Sequence, residues 1–148
     1  MATSRPIEII ENLRQRLEII KTDNGYNTNV KFVDKEYREE SYHQYPFIWV
    51  NDIKDEYVSH ICKNLFKKVL ILHIVGFVKS EATEQLRSKL GTEVQRFKED
   101  VLKAINTATM FNSTDLQVQI IDTTTDNTYV PPQGLFVTTI AIQYYSEF

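Results

Sequence analysis

The sequence has few of the residues on which disulfide frameworks, phosphate-binding loops and membrane spans depend. Cys62 is the one cysteine among 148 residues, so no intramolecular disulfide forms and nothing requires an oxidising compartment. The four glycines are far apart, which excludes a glycine-rich phosphate loop. No apolar run approaches the roughly 18 residues of a membrane-spanning helix, and the N-terminus lacks the apolar segment of a signal peptide. We therefore expect the chain to fold in a cytosol-like compartment.

An excess of charge of one sign is lacking as well. The 17 basic and 20 acidic side chains give a formal net charge of −3, which does not indicate general attraction to nucleic acid or to an anionic membrane. Hydrophobic residues make up 42% of the chain and charged residues 25%, which is ordinary for a globular protein. The length fits one core, so we predict a single domain over residues 1–148.

Catalytic and metal-binding patterns are also absent. His60, Cys62 and His73 are the one group of soft ligand types, and His73 is expected opposite the other two across a hairpin. Zinc needs three or four ligands, and neither CxxC nor HExxH spacing occurs. Asp122 and Asp126 bracket a threonine run, but the glycine and terminal glutamate of a calcium loop are missing. We therefore expect no metal, no cofactor and no enzymatic activity, and interpret these residues as ordinary sheet residues.

Hydrophobic periodicity predicts two helices. In residues 6–21, apolar side chains recur every three or four positions, and Asp23-Asn24-Gly25 supplies the stop signal. A second, longer helix is predicted from a cap at Ser80 to about Ile105. Its apolar face is formed by Leu86, Leu90, Val94, Phe97, Val101 and Ile105.

The remaining apolar runs predict strands. The longest, residues 66–78, is rich in β-branched residues, so we expect a central strand that is covered on both faces or nearly so. Asn51-Asp52 is interpreted as the break between two strands, and Lys63-Asn64 as a hairpin turn. Residues 122–134 are interpreted as a polar loop. The predicted strands are residues 28–33, 45–50, 57–62, 66–78, 116–120 and 135–145.

These elements give an α+β fold. We predict a mostly antiparallel sheet, with a mixed sheet possible, packed against the N-terminal helix and the long central helix. Residues 34–41 are charged and poorly periodic, which favours an exposed arm carrying Lys35, Glu36, Arg38 and Glu39.

Six short motifs occur along this order of elements, each of them once. They are Asn24-Gly25-Tyr26-Asn27-Thr28 after the first helix, the strand 45–50, Ile74-Val75-Gly76-Phe77, the helix end 101–105, Pro132-Gln133-Gly134 and the terminal Ile142-Gln143-Tyr144-Tyr145. In this order, over roughly residues 7–145, the chain resembles the tail terminator (tail completion) proteins of long-tailed bacteriophages.

The resemblance implies a structural role in the virion. Such proteins form a six-subunit ring that caps the tail tube, stops its polymerisation and provides the docking face for the head–neck complex. The implied partners are the tail tube protein, a neck or connector protein and, in a contractile tail, the sheath protein. DNA would pass through the pore without specific binding, and no membrane is involved. The implied location is the head-proximal end of the tail, after assembly in the host cytoplasm.

A closed ring requires two different, complementary surfaces on each subunit, and sheet edges and loops are suitable for this. The predicted subunit or tube contacts lie in the loop before the last strand and at its end: Asp126, Tyr129, Pro132, Gln133, Tyr144 and Tyr145. Three alternatives remain open at this point. They are another neck or head–tail connector ring, a small enzyme, and a ligand-binding module.

Overall fold

The structure, a computed structural model, describes residues 5–34, 46–63, 65–79, 87–106, 117–126 and 133–147. Two helices and five strands follow one another along the chain. The elements are helix α1 (Arg5–Glu18), a short 3-10 helix (Thr22–Asn24), strands β1 (Phe32–Asp34), β2 (Phe47–Cys62) and β3 (Leu65–Lys79), helix α2 (Arg87–Asn106), and strands β4 (Gln117–Asp126) and β5 (Gln133–Glu147). The predicted helix cap at Ser80 lies outside the described residues.

The five strands form one sheet in the order β1-β2-β3-β5-β4. β1 runs parallel to β2, and the other three pairs are antiparallel. The predicted α+β class with a mixed, largely antiparallel sheet is therefore confirmed. β3 lies in the middle of the order, as its apolar sequence predicts.

The hairpin between β2 and β3 is confirmed, but the predicted break at Asn51-Asp52 was wrong. β2 is continuous for 16 residues, and Asn51 and Asp52 pair with His73 and Leu72 of β3. The local polar signal is overridden because the partner strand continues alongside. The extra residue Ile53 is accommodated by a shift in register between Asp52 and Lys54, which is the geometry of a β-bulge.

The predicted polar loop after residue 122 was also wrong in its first part. β4 continues to Asp126, which pairs with Leu135, and β5 begins at Gln133. The threonine run between Asp122 and Asp126 is a strand because β5 offers it a complete ladder of partners. Threonine is β-branched and suits this position.

Both helices contribute their apolar faces to one core. Leu13 and Leu17 of α1 and Phe97 of α2 are fully buried in the same cluster as Leu72 of β3. Phe97 meets the ring of Phe136 on β5 edge to face, with 5.3 Å between the ring centroids. Burying a side chain of this size stabilises the fold by about 1.5–3 kcal/mol before entropy is counted.

The two faces of β3 differ in their burial. Leu70, Leu72 and Ile74 are fully buried in the helix-facing core, whereas the intervening Ile71 and His73 are half-buried. The expected covering of both faces was therefore wrong for this half of the strand. Within the described residues, the core residues of both helices join the same side of the sheet.

Aromatic rings occupy the opposite face at one end of the sheet. Phe32, Phe47 and Phe77 lie side by side on β1, β2 and β3. Their rings stack with centroid separations of 4.8 Å and 4.6 Å. Such offset pairs add about 0.5–1.5 kcal/mol each beyond the area they bury.

The segment after α1 is held against α2. Gly25 has φ +87°, a left-handed conformation that glycine adopts without strain. It caps the short 3-10 helix, whereas α1 already ends at Glu18, before the predicted stop at Asp23-Asn24-Gly25. The buried carboxylate of Asp100 accepts hydrogen bonds from the backbone N–H and the side-chain amide of Asn27. Lys103 donates to the carbonyl oxygen of Gly25 at 2.9 Å. These bonds fix the loop that precedes β1.

The first testable prediction concerns the absence of a side chain at Gly76. A Cβ at this position would overlap the ring of Phe136 on the neighbouring strand. We expect Gly76→Ala to lower the free energy of unfolding by about 1–3 kcal/mol, measured by urea denaturation. In a Phe136→Leu background the same substitution should cost clearly less, because the ring is gone. An equal cost in both backgrounds would contradict the overlap.

Candidate functional site

The far half of β2 forms an exposed arm with β3. β1 pairs with β2 only at Phe47–Trp49, so from Val50 onward no described strand lies along the outer edge of β2. Every residue from Asp52 to Cys62 is exposed. We call this segment, residues 52–62, the β2 arm. An open strand edge with exposed side chains is a surface available for contact with another chain.

Three register shifts in the β2 arm place aliphatic side chains in solvent. The shifts skip Ile53, Val58 and Ile61, whose side chains are 41%, 52% and 49% exposed. Tyr57, next to the second shift, is 61% exposed. A bulge residue has no partner on the opposite strand and re-aims the chain around it. The arm therefore presents a group of large apolar side chains that the pairing of the hairpin does not use.

The opposite edge of the sheet has one feature of the same kind. β4 is the last strand in the order and shifts its register between Ile120 and Asp122. The skipped residue, Ile121, is 54% exposed. All four register shifts in the described strands thus coincide with an exposed isoleucine or valine. Among the described strands, the sheet thus has two open edges with different sequences, one on each side.

A polar cluster anchors the arm to the core. The Lys68 ammonium lies 2.7 Å from a carboxylate oxygen of Asp55, and the Tyr144 hydroxyl donates to the same carboxylate at 2.8 Å. Lys68 also lies over the ring of Tyr57, 4.7 Å from its centroid. The registers Asp55–Leu70 and Lys68–Tyr144 bring the three side chains to the helix-facing side. The cluster joins β2, β3 and β5 at the base of the arm.

The ionisation of this cluster reflects its partial burial. Burial, together with the hydrogen bond to Asp55, raises the pKa of Tyr144 to about 12. Burial alone would lower the pKa of Lys68, but its bonds to Asp55 and Tyr144 outweigh that effect and the pKa is raised. Lys68 is therefore an ammonium and Tyr144 a neutral phenol at neutral pH. Each of the three groups in this arrangement has a bonding partner, and none is poised to transfer a proton.

The predicted contact residues differ in their burial and in their position on the strands. Tyr144 is fully buried and bonded to Asp55, so its selection as a surface contact was wrong. Its side chain lies on the core side of β5, the same side as that of Phe136. Tyr145 is 40% exposed, and its contact role stays a prediction. Asp126 ends β4 and Gln133 begins β5.

Several other predicted residues lie outside the described residues. Tyr129 and Pro132 belong to the predicted loop before β5, and their contact role stays a prediction. The same holds for the predicted exposed arm, with Lys35, Glu36, Arg38 and Glu39.

The suggested opposition of the histidines across the hairpin was wrong. His60 pairs with Phe66 and stacks on its ring at 4.6 Å, whereas His73 pairs with Asn51. Seven strand positions separate Phe66 from His73, which is roughly 23 Å. Across the described ranges, no three His, Cys, Asp or Glu side chains are grouped as metal ligands would be. Neither described helix has the length and apolar content needed to span a bilayer.

The four exposed bulge residues were missed by sequence reasoning. The signal that points to them is a β-branched aliphatic residue within a charged stretch, as in Asp52-Ile53-Lys54. Alternation alone assigns such a residue to one face of the sheet. A bulge depends on the partner strand, so the alternation within one strand does not reveal it.

Comparison with known proteins does not place the chain in a family. No protein-family model matches it, and no curated protein matches it significantly. Its own residues and fold are therefore the basis for a functional proposal.

The second prediction concerns Tyr144→Phe. The variant loses the hydroxyl that donates to Asp55, so we expect the free energy of unfolding at neutral pH to fall by about 1.5 kcal/mol. The folded protein retains the Tyr144 proton up to about pH 12, whereas the unfolded chain releases it near pH 10. The contribution of this group is therefore complete below pH 10 and is lost as the pH rises from 10 to about 12.

Urea denaturation across the alkaline range measures this effect. In Tyr144→Phe the decline in stability above pH 10 should be shallower than in the native sequence. Tyr145→Phe, at the exposed neighbouring position, is the matched control and should keep the native decline. Identical alkaline declines in Tyr144→Phe and the native chain would show that the phenol does not titrate as stated.

Proposed function

We propose that this chain is a structural virion protein of a long-tailed bacteriophage, a tail terminator. In this role it forms a six-subunit ring at the head-proximal end of the tail tube. The ring stops tube polymerisation and provides the docking face for a neck or connector protein. In a contractile tail it also meets the sheath protein, and DNA passes through its pore. The role is non-enzymatic and uses no cofactor.

The observation that carries the proposal is the order of elements along the chain. An N-terminal helix that ends in Asn24-Gly25-Tyr26, a strand entering a hairpin, a long helix and two closing strands is the arrangement on which the resemblance rests. The proposal takes α2 as the long central helix of that arrangement, packed with α1 on one face of the sheet. Phe97 of α2, packed against Phe136, is the contact that supports this assignment.

The two open edges of the sheet supply a physical basis for ring formation. A ring is built from heterologous contacts, in which one surface of a subunit meets a different surface of the next. The β2 arm carries Ile53, Val58 and Ile61, and the β4 edge carries Ile121. In the ring, the arm of one subunit packs against the β4 edge of its neighbour. Burial of these side chains stabilises the contact by about 25 cal/mol per Å² of apolar surface.

The third prediction concerns the size and partner of the assembly. Light scattering and electron microscopy of the purified protein should detect rings, either alone or after addition of tail tube protein. A pull-down with tube protein should retain the chain, because the ring caps the tube. Retention by portal-side connector protein but not by tube protein would instead identify another neck ring. A strict monomer that binds neither would contradict both.

The fourth prediction separates the two contact surfaces. An arm variant, Ile53→Glu with Val58→Glu, and an edge variant, Ile121→Glu, should each fail to form rings, because charge is placed in an apolar contact. Mixed in equal amounts, the two variants should form a dimer, since one intact arm still meets one intact edge. Ile7→Glu changes an equally exposed residue on α1 and should leave ring formation unchanged.

Analytical ultracentrifugation distinguishes these outcomes, and circular dichroism confirms that each variant is folded. If the mixture stays monomeric, the arm and the edge do not contact each other. If the arm variant forms rings of native size, the β2 arm is not a subunit contact.

A further inference from the structure

A groove of about 420 Å³ lies at the end of the sheet away from the β2 arm. Its floor includes Pro46, directly before β2, and Val78, near the end of β3. One wall is the segment Asn27–Asn29, and the other is formed by Glu93 and Arg96 of α2. A volume of this size is in the range of sites that bind small ligands or a short segment of chain.

The groove is rich in hydrogen-bond donors. Lys31 and Arg96 both line it, and neither side chain forms an ion pair or a hydrogen bond within the described chain. Arg96 offers a planar fork of N–H groups, and Lys31 offers a mobile ammonium. Two cations that line one space attract a group with oxygen acceptors and negative charge. Glu93 is the one acidic side chain in the lining.

The walls of the groove are held in place by hydrogen bonds that are separate from the proposed ligand contacts. Asp100, buried in α2, bonds to the backbone N–H of Asn27. The backbone N–H of Val30 donates to Ile20, and that of Lys31 donates to Pro46 at 2.8 Å. The segment that carries Lys31 is thus tied to the residues that follow α1, to α2 and to the start of β2. A pre-formed site of this kind loses little entropy when it binds a ligand.

We propose that this groove binds an extended, acidic segment of a partner protein. A glutamate or aspartate carboxylate of the segment lies between Arg96 and Lys31. The hydroxyl of Thr28 is suited to bond the peptide backbone beside it, since it can donate and accept. The inference does not depend on ring formation, because the groove and the β2 arm lie at opposite ends of β2.

The charge of the lining favours a carboxylate over a nucleic-acid backbone. A nucleic acid places a phosphate at every nucleotide and requires a continuous basic surface. The groove has two cations beside Glu93, which disfavours dense negative charge but accommodates one carboxylate. The whole chain also has a net charge of −3. A peptide with spaced acidic residues matches this balance.

Fluorescence anisotropy of the full chain with a capped peptide tests the inference. The probe carries a neutral dye and alternates glutamate with alanine, and a matched probe has glutamine in place of glutamate. We expect saturable binding of the glutamate peptide and at least tenfold weaker binding of the glutamine peptide. Arg96→Gln and Lys31→Gln should each weaken binding about tenfold, as expected for loss of a charge-assisted hydrogen bond.

Glu93→Gln should tighten binding severalfold, because it removes the one negative side chain of the lining. A gain in affinity also shows that the variant is folded. Two matched controls change the same charges outside the groove. Lys63→Gln at the hairpin turn and Glu99→Gln, also on α2, should leave the affinity unchanged.

Three results with the peptide probes would overturn the proposal, and a fourth comes from competition with a small dicarboxylate. The first is absence of saturable binding, and the second is equal affinity for the glutamate and glutamine peptides. The third is a loss of affinity in Lys63→Gln as large as in Arg96→Gln, which would indicate general attraction to positive charge. Free glutarate serves as the competitor. Displacement by glutarate at concentrations equal to unlabelled peptide would assign the groove to a small dicarboxylate instead, and much weaker displacement supports the peptide.

Discussion

The ring of Phe136 lies against the bare backbone of Gly76, and the position of the helix layer depends on this contact. Because β3 has no side chain at that point, the ring stays close to the sheet, where it meets the ring of Phe97 edge to face. Phe97 in turn places α2, whose buried Asp100 holds Asn27 and the segment leading to β1. One missing Cβ thus sets the distance between the sheet, the second helix and a distant loop. Interiors packed at crystal density transmit such a constraint over several residues.

The one-sided helix layer also explains where the interaction surfaces lie. Within the described chain, the core residues of both helices are on one face of the sheet. No described strand lies beside the far half of β2 or the outer edge of β4. At the base of the β2 arm, Asp55 forms an ion pair with Lys68 and accepts a hydrogen bond from Tyr144. The arm is therefore rigidly joined to the core while its outer side chains stay in solvent, as a pre-organised contact surface requires.

Much of this fold was predictable from local patterns, and the failures share one cause. The apolar stripe of α1, the left-handed Gly25 and the turn at Lys63 follow from short-range rules. Asn51-Asp52 was taken as a break because two polar residues favour a turn, yet pairing with β3 keeps the strand intact. Tyr144 is buried, and its hydroxyl is bonded to Asp55, which is 89 residues away. A single sequence does not specify such distant partners, nor does it mark where one strand has an extra residue.

The register of strand pairing determines which single-residue deletions leave the sheet unchanged. Removal of Ile53 would leave Asp52 opposite Leu72 and Lys54 opposite Ile71, as they are now. Removal of Glu56, which pairs with Val69, would instead shift the residues after it by one position and exchange their faces. The same reasoning applies to Val58, Ile61 and Ile121. These four aliphatic residues lie outside the strand pairing, so the register of the sheet does not depend on them.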